Sequence, residues 1–184
     1  MTYYGGKELA DAFRTVRKNT IQIAQEIPED KYDFKPTPES RSVAQTLAHI
    51  ATLTTFQMML HGERIPIEKI DFTEYLKTVA AEEARLKTKA DIIAGLTDAG
   101  ETFAKMLEGL TDETFLAEVI TFQPGATPPS RTRFDLLLAA KEHEMHHRGQ
   151  LMLMERMIGI TPHLTREMQE RMARFTAAAA AKAN

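Results

Sequence analysis

The sequence predicts an all-α protein: a four-helix bundle with one long crossover connection and a short helix at its C-terminus. Four long segments carry apolar residues at the alternating three- and four-residue spacing of an amphipathic helix. The chain has no tryptophan and no cysteine, and its core residues are mainly Leu, Ile, Met and Ala, which favour helices over a β-sandwich. A length of 184 residues suits one domain.

The first two helices are predicted on either side of a proline-rich loop. Residues 7–27 carry apolar side chains on one helical face, and Pro28 ends the pattern. Residues 28–41 contain three prolines and many charged side chains, which predicts a loop. Ser42 is a typical helix-capping residue, and the second helix is predicted over residues 42–61.

The third long helix follows the longest connection in the chain. Residues 62–88 form this connection and contain a short helix predicted over residues 75–86. A connection of this length need not join antiparallel neighbours, which predicts one crossover in the bundle. Thr88 and Asp91 have the spacing of a capping box, so the third long helix is predicted over residues 89–110.

The fourth long helix follows a second irregular segment. The sequence PGATPP within residues 111–131 is incompatible with a regular helix or a central strand, and no strand is predicted in the chain. The fourth long helix is predicted over residues 132–158, where Gly159 ends it. A shorter and more polar helix is predicted over residues 165–181.

Composition and charge restrict the classes of partner. We expect one domain over residues 1–184, with its bundle core over residues 7–162 and a C-terminal helix and alanine-rich tail over residues 163–184. The formal net charge of -3, without a basic stripe, argues against a nucleic-acid partner. The N-terminal segment lacks the apolar core of a signal peptide, and no apolar run approaches the ~20 residues that cross a bilayer. We therefore expect a cytoplasmic protein without a membrane partner.

The strongest chemical signal is a pair of histidines on the fourth long helix. In KEHEMHHRGQL, residues 141–151, His143 and His147 are one helical turn apart and differ in direction by roughly 40°. They interrupt an apolar stripe formed by Leu136, Ala140, Leu151, Met154 and Ile158. Burying two unpaired imidazoles is costly, and a shared divalent metal ion would compensate.

His49 on the second helix is the candidate third ligand. It lies in the middle of that helix, on a stripe whose other members are apolar: Leu53, Phe56 and Leu60. Three imidazoles leave at least one coordination position open, as in catalytic rather than structural metal sites. A core histidine with a hydrogen-bond partner is the alternative interpretation of His49. His146 is an alternative to one member of the pair, or else a residue at the edge of the site.

Two acidic residues flank His143. Glu142 precedes it, and Glu144 follows it in the H-E-x-x-H pattern of metalloproteases, where the glutamate is the general base. Glu144 is therefore a candidate base for hydrolysis, and Glu142 a candidate hydrogen-bond acceptor for a metal-binding histidine. Metalloproteases of this pattern place the substrate beside a sheet edge, however, and no sheet is predicted here. No catalytic residue is assigned from the sequence.

Taken together, these residues resemble the DinB-like family, which includes YfiT-type proteins and bacillithiol S-transferases. One part of the resemblance is the helical segment SVAQTLAHIA around His49. Another is HEMHHRGQL, in which the family pattern H-x-x-x-H-R-G-Q falls on His143 and His147. The third is the long connection between the second and third long helices. The resemblance covers about residues 7–162.

The resemblance carries implications for structure and activity. It implies an irregular four-helix bundle in which His49, His143 and His147 bind a divalent metal ion, usually nickel or zinc. Homodimers are common in the family. Members with an assigned activity often transfer a low-molecular-weight thiol to an electrophile or use a thiol for isomerisation. The implied partners are thus a small-molecule thiol and an electrophilic substrate.

Three functions follow as hypotheses. The leading one is a metal-dependent thiol S-transferase in stress or detoxification; because the chain lacks cysteine, the reactive sulfur would arrive with the cosubstrate. The alternatives are a metal-dependent hydrolase and a non-enzymatic, stress-induced metal-binding bundle. The substrate pocket is expected between facing helices and the loops of residues 28–41 and 111–131.

Overall fold

The computed structural model describes residues 4–183 and confirms the all-α prediction, apart from one small hairpin. Its helices are α1 (Gly6–Glu26), α2 (Val43–Thr52), α3 (Thr55–Gln57), α4 (Phe72–Arg85), α5 (Lys89–Glu108), α6 (Glu113–Ala117), α7 (Arg133–Met157) and α8 (His163–Ala183). The two strands are β1 (Val119–Thr121) and β2 (Ser130–Thr132).

The bundle consists of α1, α2, α5 and α7. Both α1 and α2 pack against α5 and α7, so α1 and α2 lie diagonally across the bundle. Helices α1 and α5 are antiparallel, because Lys89 at the start of α5 donates a hydrogen bond to the carbonyl oxygen of Ile27 just after α1. Helices α2 and α7 are also antiparallel: His49 faces His147, whereas Arg133 at the start of α7 donates to the carbonyl oxygen of Leu60.

The predicted crossover is present between α2 and α5. Ala51 of α2 lies beside Gly95, and Gly62 lies beside Met106 further along α5, so the two helices run parallel. The connection that contains α4 returns the chain to the end of the bundle where α2 began. A short turn cannot join parallel neighbours, and this explains the length of the connection.

The second predicted helix is interrupted. Regular α-helix ends at Thr52, a turn follows, and the chain continues through α3 into a π-helical turn at Met58–Gly62. The hydroxyl oxygen of Thr52 lies 3.1 Å from the carbonyl oxygen of His49. Threonine side chains that bond to the preceding turn compete with the helical backbone, which accounts for a break at this point.

A short hairpin that the sequence did not predict precedes α7. Strands β1 and β2 pair antiparallel, with Ile120 opposite Arg131. Strands of three residues are too short to show the two-residue alternation that predicts a strand. The PGATPP segment forms the loop between them, and its Gly125 has a φ of +93°, a conformation that favours glycine.

Helix α8 is longer than the short C-terminal helix that the sequence predicted. It comprises 21 residues, and its side chains from Glu167 to Ala181 are exposed. The exposed side chains include three large apolar ones: Met168, Met172 and Phe175. Within residues 4–183, no helix combines the length and the apolar character needed to cross a membrane.

An ion pair at the centre of the bundle joins all four long helices. Arg17 of α1 has its Nε atom 3.0 Å from both carboxylate oxygens of Glu144 on α7. The Arg17 guanidinium also donates hydrogen bonds to the carbonyl oxygens of Leu96 on α5 and Ile50 on α2. Arg17 is 4% and Glu144 0% exposed. A Cβ atom at Gly100 would lie 2.8 Å from Arg17 Cγ, so glycine makes room for this side chain.

A second buried acid lies between α1, α7 and α8. Glu155 is fully buried, and neither of its carboxylate oxygens has a hydrogen-bond partner within the described residues. Burial, together with the nearby carboxylate of Glu26, raises the pKa of Glu155 to about 7 against the opposing charges of Arg166 and Arg156. Glu155 is therefore easier to bury in its protonated form.

Breaking the central ion pair is expected to destabilise the bundle. In Arg17→Met the Glu144 carboxylate would remain buried without its cation, which costs about 3–5 kcal/mol. The double variant Arg17→Met/Glu144→Leu should recover most of this loss, because no charge remains buried. Urea unfolding at equilibrium measures both free energies. A double variant that is less stable than Arg17→Met would contradict this coupling.

Replacing Glu155 is expected to change how stability depends on pH. Its pKa is about 7 in the folded protein against an ordinary value of 4.5, so the folded state retains a proton that the unfolded state has lost between these values. The stabilising contribution is complete below about 4.5 and is lost as the pH rises to 7. Glu155→Gln should therefore melt at a higher temperature than the wild type at pH 8, and this advantage should shrink at pH 5. An advantage independent of pH would contradict the assignment.

Candidate metal centre

The structure brings the three predicted histidines together between α2 and α7. His49, His143 and His147 each offer one ring nitrogen, and these atoms all lie within 4.8 Å of one another. Among residues 4–183 this is the only group of three or more His, Cys, Asp or Glu side chains with donor atoms so close. The ring centroids of His49 and His147 are 4.9 Å apart, so the contact between the helices is direct.

The side chains of His143 and His147 on α7 converge as predicted, but only one of them is buried. The Nε2 atoms of His143 and His147 are 2.9 Å apart, so both rings point to the same place. His147 is buried, whereas His143 is exposed, and Glu144 is the buried residue beside it. The prediction that His143 belongs to the inward stripe was wrong. Because α7 packs against both α1 and α2, its buried face is centred on Glu144, His147 and Leu151.

Gln150 holds the ring of His147. Its Oε1 atom lies 2.8 Å from Nδ1 of His147, and its Nε2 atom lies 3.2 Å from Nε2 of His146. With the amide oxygen accepting from Nδ1–H, the Nε2 atom of His147 keeps its lone pair for a metal ion. Gln150 was not among the residues predicted for the site, although its spacing of three residues from His147 indicates that both lie on one side of a helix.

Glu83 holds the ring of His49 in the same way. Its Oε1 atom lies 2.9 Å from Nδ1 of His49 and 3.3 Å from the hydroxyl oxygen of Thr52. A carboxylate that accepts from Nδ1–H leaves Nε2 as the ligand atom and fixes the ring orientation. The hydrogen-bonded histidine proposed as the alternative for His49 and the metal ligand are therefore compatible. Nothing local in the sequence points to Glu83, which reaches the site from the crossover helix α4.

Electrostatics favour the neutral imidazoles that bind metals. Burial, together with the neighbouring histidines, lowers the pKa of His147 to about 4 against the opposing hydrogen bond to Gln150. His143 is exposed as a residue, but partial desolvation of its ring lowers its pKa, with added effects from His49, His146 and Arg41. Both rings are thus mainly neutral at pH 7, so a metal ion need not displace a proton from them to bind.

The donor set fits a divalent ion. Three imidazole nitrogens suit zinc or nickel among the common metals. Donor atoms of a tetrahedral site with bonds of 2.0–2.1 Å lie roughly 3.4 Å apart. The spread of 4.8 Å between the histidine nitrogens can close to this value by small side-chain rotations. His49, His143 and His147 are the residues that would hold the ion.

The remaining candidates lie outside the triad. Glu144 faces α1 and is held by Arg17, so the metalloprotease pattern does not place a base at the site. Glu142 is exposed on another face of α7. His146 is exposed and contacts Gln150 rather than the shared position. No catalytic base is therefore identified among these residues.

A cavity of about 380 Å³ opens beside the triad. It is lined by side chains of α7 and by Pro36, Ser40 and Arg41 of the loop before α2, as expected for residues 28–41. The second loop expected to contribute, residues 111–131, lies elsewhere, because its Ile120 packs against Leu60 at the far end of α2 and α3. That loop does not line this cavity, and its part in a substrate pocket stays a prediction.

Removing the carboxylate behind His49 is expected to weaken metal binding. Glu83→Ala should lower the affinity for zinc by 10–100-fold, the usual effect of losing an outer-shell partner. Competition with a chromophoric chelator measures this affinity. Glu74→Ala removes the same charge from an exposed position on α4 and should leave it unchanged. Wild-type affinity in Glu83→Ala would show that Glu83 has no role in holding the ligand.

Comparisons with known proteins agree with this architecture. The family model of the DinB superfamily matches residues 12–151. The uncharacterized protein YjoA of Bacillus subtilis (strain 168) is 30% identical over 160 residues, which cover 84% of this chain and 91% of that protein.

Two solved structures share the fold. The crystal structure of the DinB-like protein YjoA from Bacillus subtilis superposes with a TM-score of 0.61 and 26% sequence identity, covering 84% of this chain and 94% of that one. An uncharacterized protein from Clostridium difficile 630 gives a TM-score of 0.61 at 14% identity, covering 85% of this chain and 98% of that one. Because the family model matches well over half of the sequence, this chain belongs to the DinB superfamily.

Proposed function

We propose that this protein is a metal-dependent transferase that joins a low-molecular-weight thiol to an electrophile. The observation that carries the proposal is the convergence of three imidazole donors at a position with an adjoining cavity. Exposure of His143 leaves this position accessible from solvent. The chain has no cysteine, so a thiol reaction needs sulfur from a cosubstrate.

The chemistry requires little from protein side chains beyond the triad. A thiol R–SH and an electrophile R′–X form a carbon–sulfur bond; X leaves with the electron pair of the broken bond, and the thiol proton passes to solvent. When bound, a divalent ion would supply Lewis acidity, which lowers the pKa of a thiol placed at the open position. His49, His143 and His147 hold that ion, while Glu83 and Gln150 keep two of the rings oriented.

The alternative of hydrolysis has less support. Water activation at a metal centre usually uses a nearby carboxylate as general base. Glu144 is held by Arg17, Glu142 is exposed on another face, and Glu83 is hydrogen-bonded to His49. Thiol transfer needs no such base, because a thiol is far more acidic than water.

Turnover by the metal-loaded protein tests the proposal. Zinc- or nickel-loaded protein is incubated with an electrophile such as 1-chloro-2,4-dinitrobenzene and, in separate reactions, bacillithiol, mycothiol, glutathione or coenzyme A. We expect conjugation above the rate of His147→Ala with at least one thiol. Glu142→Ala is the control on the same helix, at an exposed position on another face, and it should retain both metal and activity.

The absence of conjugation with all four thiols would overturn the transferase proposal. A large fall in melting temperature on chelation, without turnover, would instead favour the non-enzymatic metal-binding bundle. Ester, amide and phosphoester assays on the same preparation test the hydrolase. The homodimer and the cytoplasmic location remain predictions; light scattering measures the first.

A further inference from the structure

The cavity beside the triad is bordered by residues of the candidate metal centre. Three α7 side chains of the site border it: His146, His147 and Gln150. The cavity therefore adjoins one of the proposed metal ligands and the amide that orients it. A molecule in this cavity would contact His147, one of the three proposed ligands, whereas His49 and His143 do not line the cavity.

Arg41 gives one wall of the cavity a positive charge. It is exposed, and it takes part in none of the ion pairs within the described part of the chain. Arg41 and His147 line the same cavity, so the guanidinium lies on the same space as one of the proposed ligands. A planar guanidinium binds a carboxylate through two parallel hydrogen bonds.

Other walls of the cavity are apolar. Leu153 on α7, which is 56% exposed, and Pro36 of the loop before α2 both line the cavity. Met154, which is nearly fully buried, adds apolar surface to its lining. One cation, an apolar wall and a metal-ligating histidine thus surround the same space. This combination suits a short carbon chain with an anionic group at one end and a metal-binding group at the other.

We propose that this cavity binds the cosubstrate thiol by a carboxylate. Arg41 binds the carboxylate, Leu153 and Pro36 contact the carbon chain, and the sulfur faces the triad. The inference rests on the proposed thiol transfer, and it names the substrate class of that same site: a small thiol that carries a carboxylate.

The volume of the cavity limits the size of the thiol that it can bind. A volume of about 380 Å³ lies near the lower end of the roughly 300–1,000 Å³ of small-molecule sites. The cavity therefore admits a molecule of about the size of a short peptide. It is too small for a folded protein segment, so a cysteine within another protein is not the expected donor.

Two thiols that differ only at one end provide the test. 3-Mercaptopropionate and 3-mercapto-1-propanol have the same carbon chain and sulfur, and only the first has a carboxylate. Cobalt-loaded protein is titrated with each, and the near-ultraviolet absorption of a cobalt–sulfur bond reports binding without any turnover. We expect the wild type to bind 3-mercaptopropionate at least tenfold more tightly.

Variants at Arg41 test whether this residue causes the preference for 3-mercaptopropionate over 3-mercapto-1-propanol. Arg41→Gln should abolish that preference. Its cobalt content and melting temperature should stay unchanged, because Arg41 is exposed. Arg41→Lys should keep part of it, since the charge remains. Arg171→Gln removes the same charge from an exposed position on α8, outside the cavity, and should keep the full preference.

The outcomes separate this inference from the proposed function. If both thiols bind the wild type equally, or if Arg41→Gln keeps the preference, thiol binding stands and the carboxylate site is wrong. If neither thiol produces the absorption band at millimolar concentration, both the carboxylate site and the proposed thiol transfer fail. Loss of preference in Arg171→Gln as well would show a general effect of charge and would also overturn the inference.

Discussion

The buried ion pair between Arg17 and Glu144 fixes the arrangement on which the site depends. Apolar packing tolerates many similar arrangements, whereas two buried charges and their hydrogen bonds are satisfied in only one. Arg17 reaches α7 while also bonding to backbone oxygens of α2 and α5, so it sets the positions of all four long helices. Glu144 lies between His143 and His147 in the chain. Holding Glu144 toward α1 therefore turns both histidines toward α2 and His49, although the ion pair touches none of them.

The helices could be predicted because their signals are local. Apolar spacing and capping residues such as Thr88 are contained within a few turns of chain, and the structure begins α5 at the next residue. The rotation of α7 could not be predicted in this way. Glu144 is buried because its partner Arg17 lies 127 residues earlier in the chain, and no periodicity within α7 carries that information. A charged residue therefore occupied the core position that the pattern of apolar residues assigned to His143.

In the candidate site, too, the features that depend on local sequence could be predicted and those that depend on distant residues could not. A spacing of four residues brings His143 and His147 together in any helix, and the family resemblance added His49. The two side chains that orient these rings differ in how far they lie from their histidines along the chain. Gln150 is a local neighbour of His147, so helical spacing could have revealed it. Glu83 is 34 residues from His49 and belongs to a crossover whose position depends on the finished bundle.

The crossover helix α4 has no buried residue, yet it carries the carboxylate that holds one ring of the triad. If the triad holds an ion, the attachment of α4 to α2 and the occupancy of the site are thermodynamically linked, and the linkage is reciprocal. Stronger docking of α4 would then strengthen metal binding, and a bound ion would in turn stabilise the docked helix. Sequence change within residues 62–88 would thus tune the metal affinity during evolution while His49, His143 and His147 stay the same.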